Sequence, residues 1–236
     1  MIRKLFLLAI LTLLAAPAFA QEILPQLKRE KPDMDQIKRE TQDPTSKYYY
    51  PRLIEEYFKN DTTMAIDKYR RLYLGYVFQE DYTPYRTNEH PLEYTRMLEK
   101  DKMSRGDRKA VADSAKAALY NNPFDLRELI RLIGAYRENG QTNLAKIWQN
   151  KLNYLLMAIV STGTGMDEEN AWYVIEPQHE YVLLNMLGYT VSGQVFYDPY
   201  YEFIKVTDGN NHDLGGFYFN IKNLLEEYYR KHPEEL

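Results

Sequence analysis

The chain contains no cysteine. Disulfides, thiolate metal centres and a cysteine nucleophile are therefore excluded, and so is an N-terminal cysteine carrying lipid. Excess positive charge is also missing. The sequence has 30 Lys+Arg against 34 Asp+Glu, a net charge of −4, and no basic stripe. Nucleic acid and anionic lipid both reward dense positive charge, so neither is an expected partner. Long apolar runs are absent too. The longest, Leu5 to Ala16, covers 12 residues, whereas a membrane-spanning helix needs roughly 18 or more.

That short run has a specific meaning. Arg3 and Lys4 precede it, and Ala18-Phe19-Ala20 follows with small residues where a signal peptidase reads. Residues 1–20 are expected to be a cleaved secretory signal peptide, with the mature chain starting at Gln21 and no integral membrane segment after cleavage. The expected location is the periplasm or the exterior, in soluble form. Losing Arg3 and Lys4 leaves the mature chain more acidic still.

Recognisable chemistry is sparse. The four histidines, His90, His179, His212 and His232, show no metal-ligand spacing. No serine stands in a Gly-x-Ser-x-Gly turn. Gly163-Thr164-Gly165 lacks the preceding strand and following lysine of a phosphate-binding loop, and acids follow it instead. Asp208, Asn210 and His212 alternate like calcium ligands, but Phe219 stands where the bidentate glutamate is required. No catalytic residue, metal or cofactor is expected, and the chain is read as a non-enzyme.

What the chain does have is tyrosine: 22, against nine phenylalanines. A tyrosine buries its ring while keeping its hydroxyl near a partner or water. Residues 21–46, with Pro25, Pro32 and Pro44 and no sustained period, read as a loosely ordered segment holding one short helix after Pro32. Residues 47–160 read as helical. Helices are expected over 47–59 and 62–78, joined at Asn60-Asp61, then over 124–138 and 142–160. In the last, Leu144, Ile147, Trp148, Leu152, Leu155, Leu156 and Ile159 make one apolar face. Asn139-Gly140 should end the helix before it.

Residues 161–236 change character. A flexible polar linker over 161–165 leads to strands over 171–176, 189–197, 200–207 and 214–220. A helix lies between the first two and another over 220–231, with Asp208 to Asn211 as a hairpin turn. The fold class is α+β: stacked α-hairpins, then a small, mostly antiparallel sheet with helices.

Two resemblances follow from these residues. Gly106 and Gly140, Leu98 and Leu132, Val111 and Ala145, and Ala118 and Leu152 are each 34 apart. Counted from Pro123, Leu132, Tyr136 and Ala145 stand where the tetratricopeptide repeat places its leucine, tyrosine and alanine. The region resembles a degenerate helical repeat of that kind, and the resemblance implies stacked hairpins with a concave face. Tyr73 to Tyr85, Gly163 to Ile175, Glu180 to Gln194 and Gly216 to Ile221 resemble the exported bacterial proteins grouped as domain of unknown function 4919, over roughly 40–230. That likeness implies export and the order helices then sheet. It carries no activity.

One connection is unusually long. Gln79 to His90 joins two helices with some 12 residues, where about 2 to 8 is usual. Tyr76, Gln79, Tyr82 and Tyr85 in and before it are the expected binding residues, with capping of the helical stack as the alternative role. The expected partner is a protein or peptide. A carbohydrate, stacked on tyrosine faces, is the alternative, in a binding or glycan-processing protein.

Overall fold

The computed structural model describes residues 27–86, 90–208, 210 and 212–235. The expected signal peptide and its cleavage point lie outside them. The described chain forms two compact units, one of residues 86–153 and one of residues 27–85 with 154–235. It is an α+β fold with helices first and a four-stranded, mostly antiparallel sheet after.

In the 86–153 unit, α4 (Leu92–Leu98) precedes α5 (Arg105–Asn121), α6 (Leu126–Glu138) and the first part of α7 (Thr142–Val160). Ser104 and Asp107 cap the start of α5 reciprocally, each side chain accepting the other's backbone N–H. Asp125 caps α6 by accepting from the N–H groups of Arg127 and Glu128. The α5–α6 hairpin closes on Val111, Ala112, Ala115 and Leu119 from one helix and Leu129, Leu132 and Ile133 from the other, all buried. The alanines keep the two backbones close. Gly106 and Gly140, in register by sequence, differ in role. Gly140 has φ of 74° and ends α6, whereas Gly106 lies inside the first turn of α5.

The other unit begins with α1 (Met34–Gln42), α2 (Tyr50–Phe58), α3 (Ile66–Gly75) and a 3-10 turn at Tyr76–Phe78. The short helix expected after Pro32 forms as α1, capped and packed rather than loosely held. Asp33 accepts from Gln36 N–H, and Ile37 and Thr41 are buried. Glu40 bonds Arg71 of α3 at 2.9 Å. Just upstream, Glu30 N–H donates to Ser161 O, which also accepts from Arg70. Few apolar residues are enough here because α3 supplies the opposite face.

The sheet contains β1 (Trp172–Tyr173), β2 (Thr190–Tyr197), β3 (Tyr201–Thr207) and β4 (Asp213–Asn220) in the order β1-β4-β3-β2. Only β1 and β4 run parallel. Helix α8 (Gln178–Met186) separates β1 from β2, and α9 (Lys222–Lys231) follows β4. Ile204, Val206 and Phe219 are fully buried, while β2 alternates half-buried with exposed residues as an edge strand does. Trp172 stacks on Phe217 at 5.0 Å and meets Phe219 edge-on. Between β3 and β4, Asp208 Oδ1 accepts from Asn210 N–H and His212 N–H, which makes the expected turn.

The expected linker at 161–165 is corrected. Ser161 and Thr162 are buried. Thr162 Oγ1 accepts from Tyr173 N–H at 2.9 Å, and Trp172 Nε1 donates to Gly163 O at 3.1 Å. A Cβ on Gly163 would come 2.1 Å from Asn170 O, and one on Gly165, whose φ is 72°, would strike the Trp172 ring. The glycines are there because backbone and indole approach them, not because the segment must flex.

Candidate functional site

The four residues expected to bind have different surroundings. Tyr76 is buried, stacked on Tyr50 at 6.1 Å and edge-on to Tyr82 at 5.3 Å. Tyr82 is fully enclosed and donates its hydroxyl to Ile175 O at 2.6 Å. Gln79 is half-buried and donates to Gly75 O. These three hold the long connection to its own unit, and a guest has no access to the Tyr76 and Tyr82 rings. Tyr85 differs. Its backbone takes φ of 59°, and its side chain stays 47% exposed. That turn aims the ring outward.

Tyr85 meets α9 there. Leu225, Tyr228 and Tyr229 sit three and four residues apart, so they share one face of the helix. With Tyr85 they line a depression of about 340 Å³. Tyr85 and Tyr228 stand edge-on at 5.3 Å and 86°. Tyr228 and Tyr229 do the same at 5.6 Å and 75°. Tyr228 donates its hydroxyl to Glu235 at 2.6 Å, which pushes its own pKa up to about 12. His232 lies tilted against the Tyr228 ring at 4.7 Å.

Acidic side chains act on these rings. Burial raises the Tyr85 pKa first, and the nearby Glu202 raises it further. Glu180 is on α8 and fully enclosed. Neither of its oxygens, nor Glu202 Oε2, receives a hydrogen bond from a donor group. Burial, and then the hydrogen bond and charge of Glu202, hold the Glu180 pKa well above the carboxylate range. The carboxyl therefore keeps its proton, because an enclosed carboxyl beside a second acid is costly to ionise. The sequence did contain a signal: Glu180 falls in register with Leu183, Leu184 and Leu187, on the apolar face of its helix. Its partner on β3 could not be read from spacing.

A second buried network lies behind. Ile175 N–H donates to the Tyr73 hydroxyl, which stands 2.7 Å from His179 Nδ1. With the hydroxyl donating to Nδ1, the imidazole proton sits on Nε2, which faces Glu176 at 3.6 Å. His179 is fully enclosed. The network ties the segment after β1 to α3 and α8.

The 86–153 unit holds two further groupings. Arg137, Thr142, Ala145, Lys146, Gln149, Asn150 and Asn153 line a polar depression of about 340 Å³, where Arg137 bonds Gln149 and Gln149 bonds Asn153. Nearby in sequence, His90 Nδ1 is 3.3 Å from Ser114 Oγ and its Nε2 is 3.2 Å from Glu128 Oε1. A serine, histidine and carboxylate in contact invite comparison with a nucleophilic triad. Ser114 lies mid-helix in α5, however, where the backbone N–H groups around it are bonded within the helix. It therefore lacks the free N–H pair that would receive an oxyanion. Glu128 also takes the Tyr94 hydroxyl at 2.7 Å and the Arg131 guanidinium, so it works as the anchor of α4.

Among the described residues, His232, Glu234 and Glu235 bring possible metal-ligand atoms within 4.8 Å of one another. The two glutamates are exposed, and Glu235 is engaged by Tyr228. No described helix is long and apolar enough to cross a membrane.

The geometry thus defines an α+β protein with a tyrosine-lined depression. The chain belongs to the family described as domain of unknown function (DUF4919), whose model matches residues 35–230. No curated protein and no solved structure matches the chain.

Proposed function

We propose that this is an exported, soluble, non-catalytic protein that binds a protein or peptide partner, with the Tyr85, Leu225, Tyr228 and Tyr229 depression as its contact point. The observation that carries the reading is a set of three rings on one open surface, Tyr85 and Tyr229 exposed and both braced edge-on by the half-buried Tyr228. Tyrosines held rigid by neighbours give large contact area for little entropy, which is why they recur at interfaces. Export rests on the leader-like residues 1–20. The tetratricopeptide-like spacing of the helices adds a second surface of the same kind, the amide-lined depression on α6 and α7. Fold-level likeness hosts many functions, so the tyrosine surface carries the weight.

The test is affinity capture from the exporting cell's own extract, paired with an oligosaccharide thermal-shift screen. One reproducible polypeptide should be captured by the wild type and lost with Tyr85→Asn. Asparagine tolerates the positive φ at that position. The melting temperature of the variant should stay within about 2 °C of wild type, because the ring is half exposed. Stabilisation by an oligosaccharide, with no polypeptide captured, would replace this reading with the carbohydrate one.

A further inference from the structure

We propose that the depression between Tyr85, Tyr228 and Tyr229 accepts a basic side chain, a lysine ammonium or an arginine guanidinium, from the partner polypeptide. The inference deepens the peptide-binding reading and rests on it.

Three observations point to a cation. The first is ring geometry. Two near-perpendicular ring pairs share Tyr228, and Leu225 adds an apolar wall. Rings set at right angles present more than one π-face to a single guest, and such walls attract cations through the ring quadrupole. An alkyl stem then packs on Leu225 while its charged head meets the rings.

The second is the balance of charge. Glu202 acts on Tyr85, and Glu235 accepts the Tyr228 hydroxyl. The cations of α9 nearest this face are already committed. Arg230 and Lys231 both pair with Glu227, and Lys231 also donates to Tyr82 O. Among the described residues no lysine or arginine lies over any of the three rings. A guest cation would supply the missing countercharge, and a guest anion would be repelled. His232, tilted against Tyr228, is 3.5 Å from Glu234.

The third is the unmet acceptor. Glu202 Oε2 is enclosed and accepts from no donor. A carboxyl oxygen left without a donor favours a positively charged guest nearby. A sugar is less well served. It would need several polar groups free at the rim, and the Tyr228 hydroxyl is already bound to Glu235.

The experiment is a calorimetric or NMR titration of the full chain with three nonapeptides, differing only in whether the central residue is lysine, acetyl-lysine or norleucine. The lysine peptide should bind about tenfold more tightly than either twin, the upper range for a cation over aromatic faces. Tyr229→Leu keeps the apolar area and removes one ring, and should bring the ratio close to one. Tyr229 is 37% exposed, so this variant tests the pocket even if Tyr85→Asn folds poorly. Glu202→Gln should weaken lysine binding about threefold and leave norleucine unchanged. Equal affinity for all three peptides, no binding by any, or an unchanged ratio in Tyr229→Leu would overturn the proposal. A captured partner lost with Tyr85→Asn but indifferent to lysine acetylation would overturn the cation inference and leave the polypeptide reading intact. Displacement of the lysine peptide by a cello-oligosaccharide would overturn both.

Discussion

Two buried glutamates on this chain are kept in opposite ways. Glu128, in the 86–153 unit, is met by Arg131, the Tyr94 hydroxyl and His90. Glu180, in the sheet-bearing unit, is met only by another acid. A carboxyl taken out of water has two exits: it finds donors and cations, or it keeps its proton. The first fixes structure, here α4 and its approach against α5 and α6. The second leaves an acceptor unmet on Glu202 and lends acid character to a neighbouring ring surface. The difference separates a structural buried acid from one that bears on a functional site.

The comparison breaks most visibly at Glu128. Arg131→Met leaves that carboxylate enclosed without its cation, and should cost about 3 to 5 kcal/mol in urea denaturation. A loss under 1 kcal/mol would mean that Tyr94 and His90 suffice.

Glu180→Gln should act in the opposite direction. It replaces a carboxyl that must stay neutral with an amide that always is. The sign follows from the raised pKa. The folded chain holds this proton more tightly than the unfolded one, so its contribution is complete below the ordinary glutamate value of 4.5 and is lost as pH rises above it. The variant should therefore be more stable than wild type by about 1 to 3 kcal/mol at pH 7. The gain should shrink towards zero near pH 4. Equal destabilisation at both pH values would show that the site needs an acid for another reason.

Tyr82→Phe removes one buried hydroxyl and leaves Ile175 O without its donor, a cost of about 1 to 2 kcal/mol. Tyr85→Asn, in the same connection, should change stability by less than about 0.5 kcal/mol. Chemical denaturation of the two variants side by side measures the contrast. If Tyr85→Asn costs as much as Tyr82→Phe, the outward ring is part of the packing.

Where periodicity spoke, the sequence was legible. The leucine-rich face over 142–160 predicts α7 to the residue, and Asn139-Gly140 and Gly188 end their helices with positive φ at the glycines. Asp208 shapes its turn from its own side chain, a local interaction needing no tertiary knowledge. What failed to show was set by distant partners. Gly163 and Gly165 look like a linker until Trp172 and Asn170 are placed against them. The short helix expected after Pro32 forms over Met34–Gln42, but its packing against α3 could not be read from its few apolar residues. Tyr69, Tyr73 and Tyr76 form the stripe their spacing implies, but spacing cannot say which side of a helix faces protein, and all three are buried. The long connection was legible as unusual, and Tyr85 as part of it. Its neighbours Tyr228 and Tyr229 come from some 140 residues further along the chain, beyond any pattern read by spacing.

The most direct test of the account is a site-resolved carbon NMR titration of the Glu180 carboxyl in the folded chain. The account predicts a resonance that stays in its protonated position through neutral pH, moving only when Glu202 is replaced or the protein unfolds. A Glu180 carboxyl that ionises near 4.5, as an ordinary glutamate does, would contradict it.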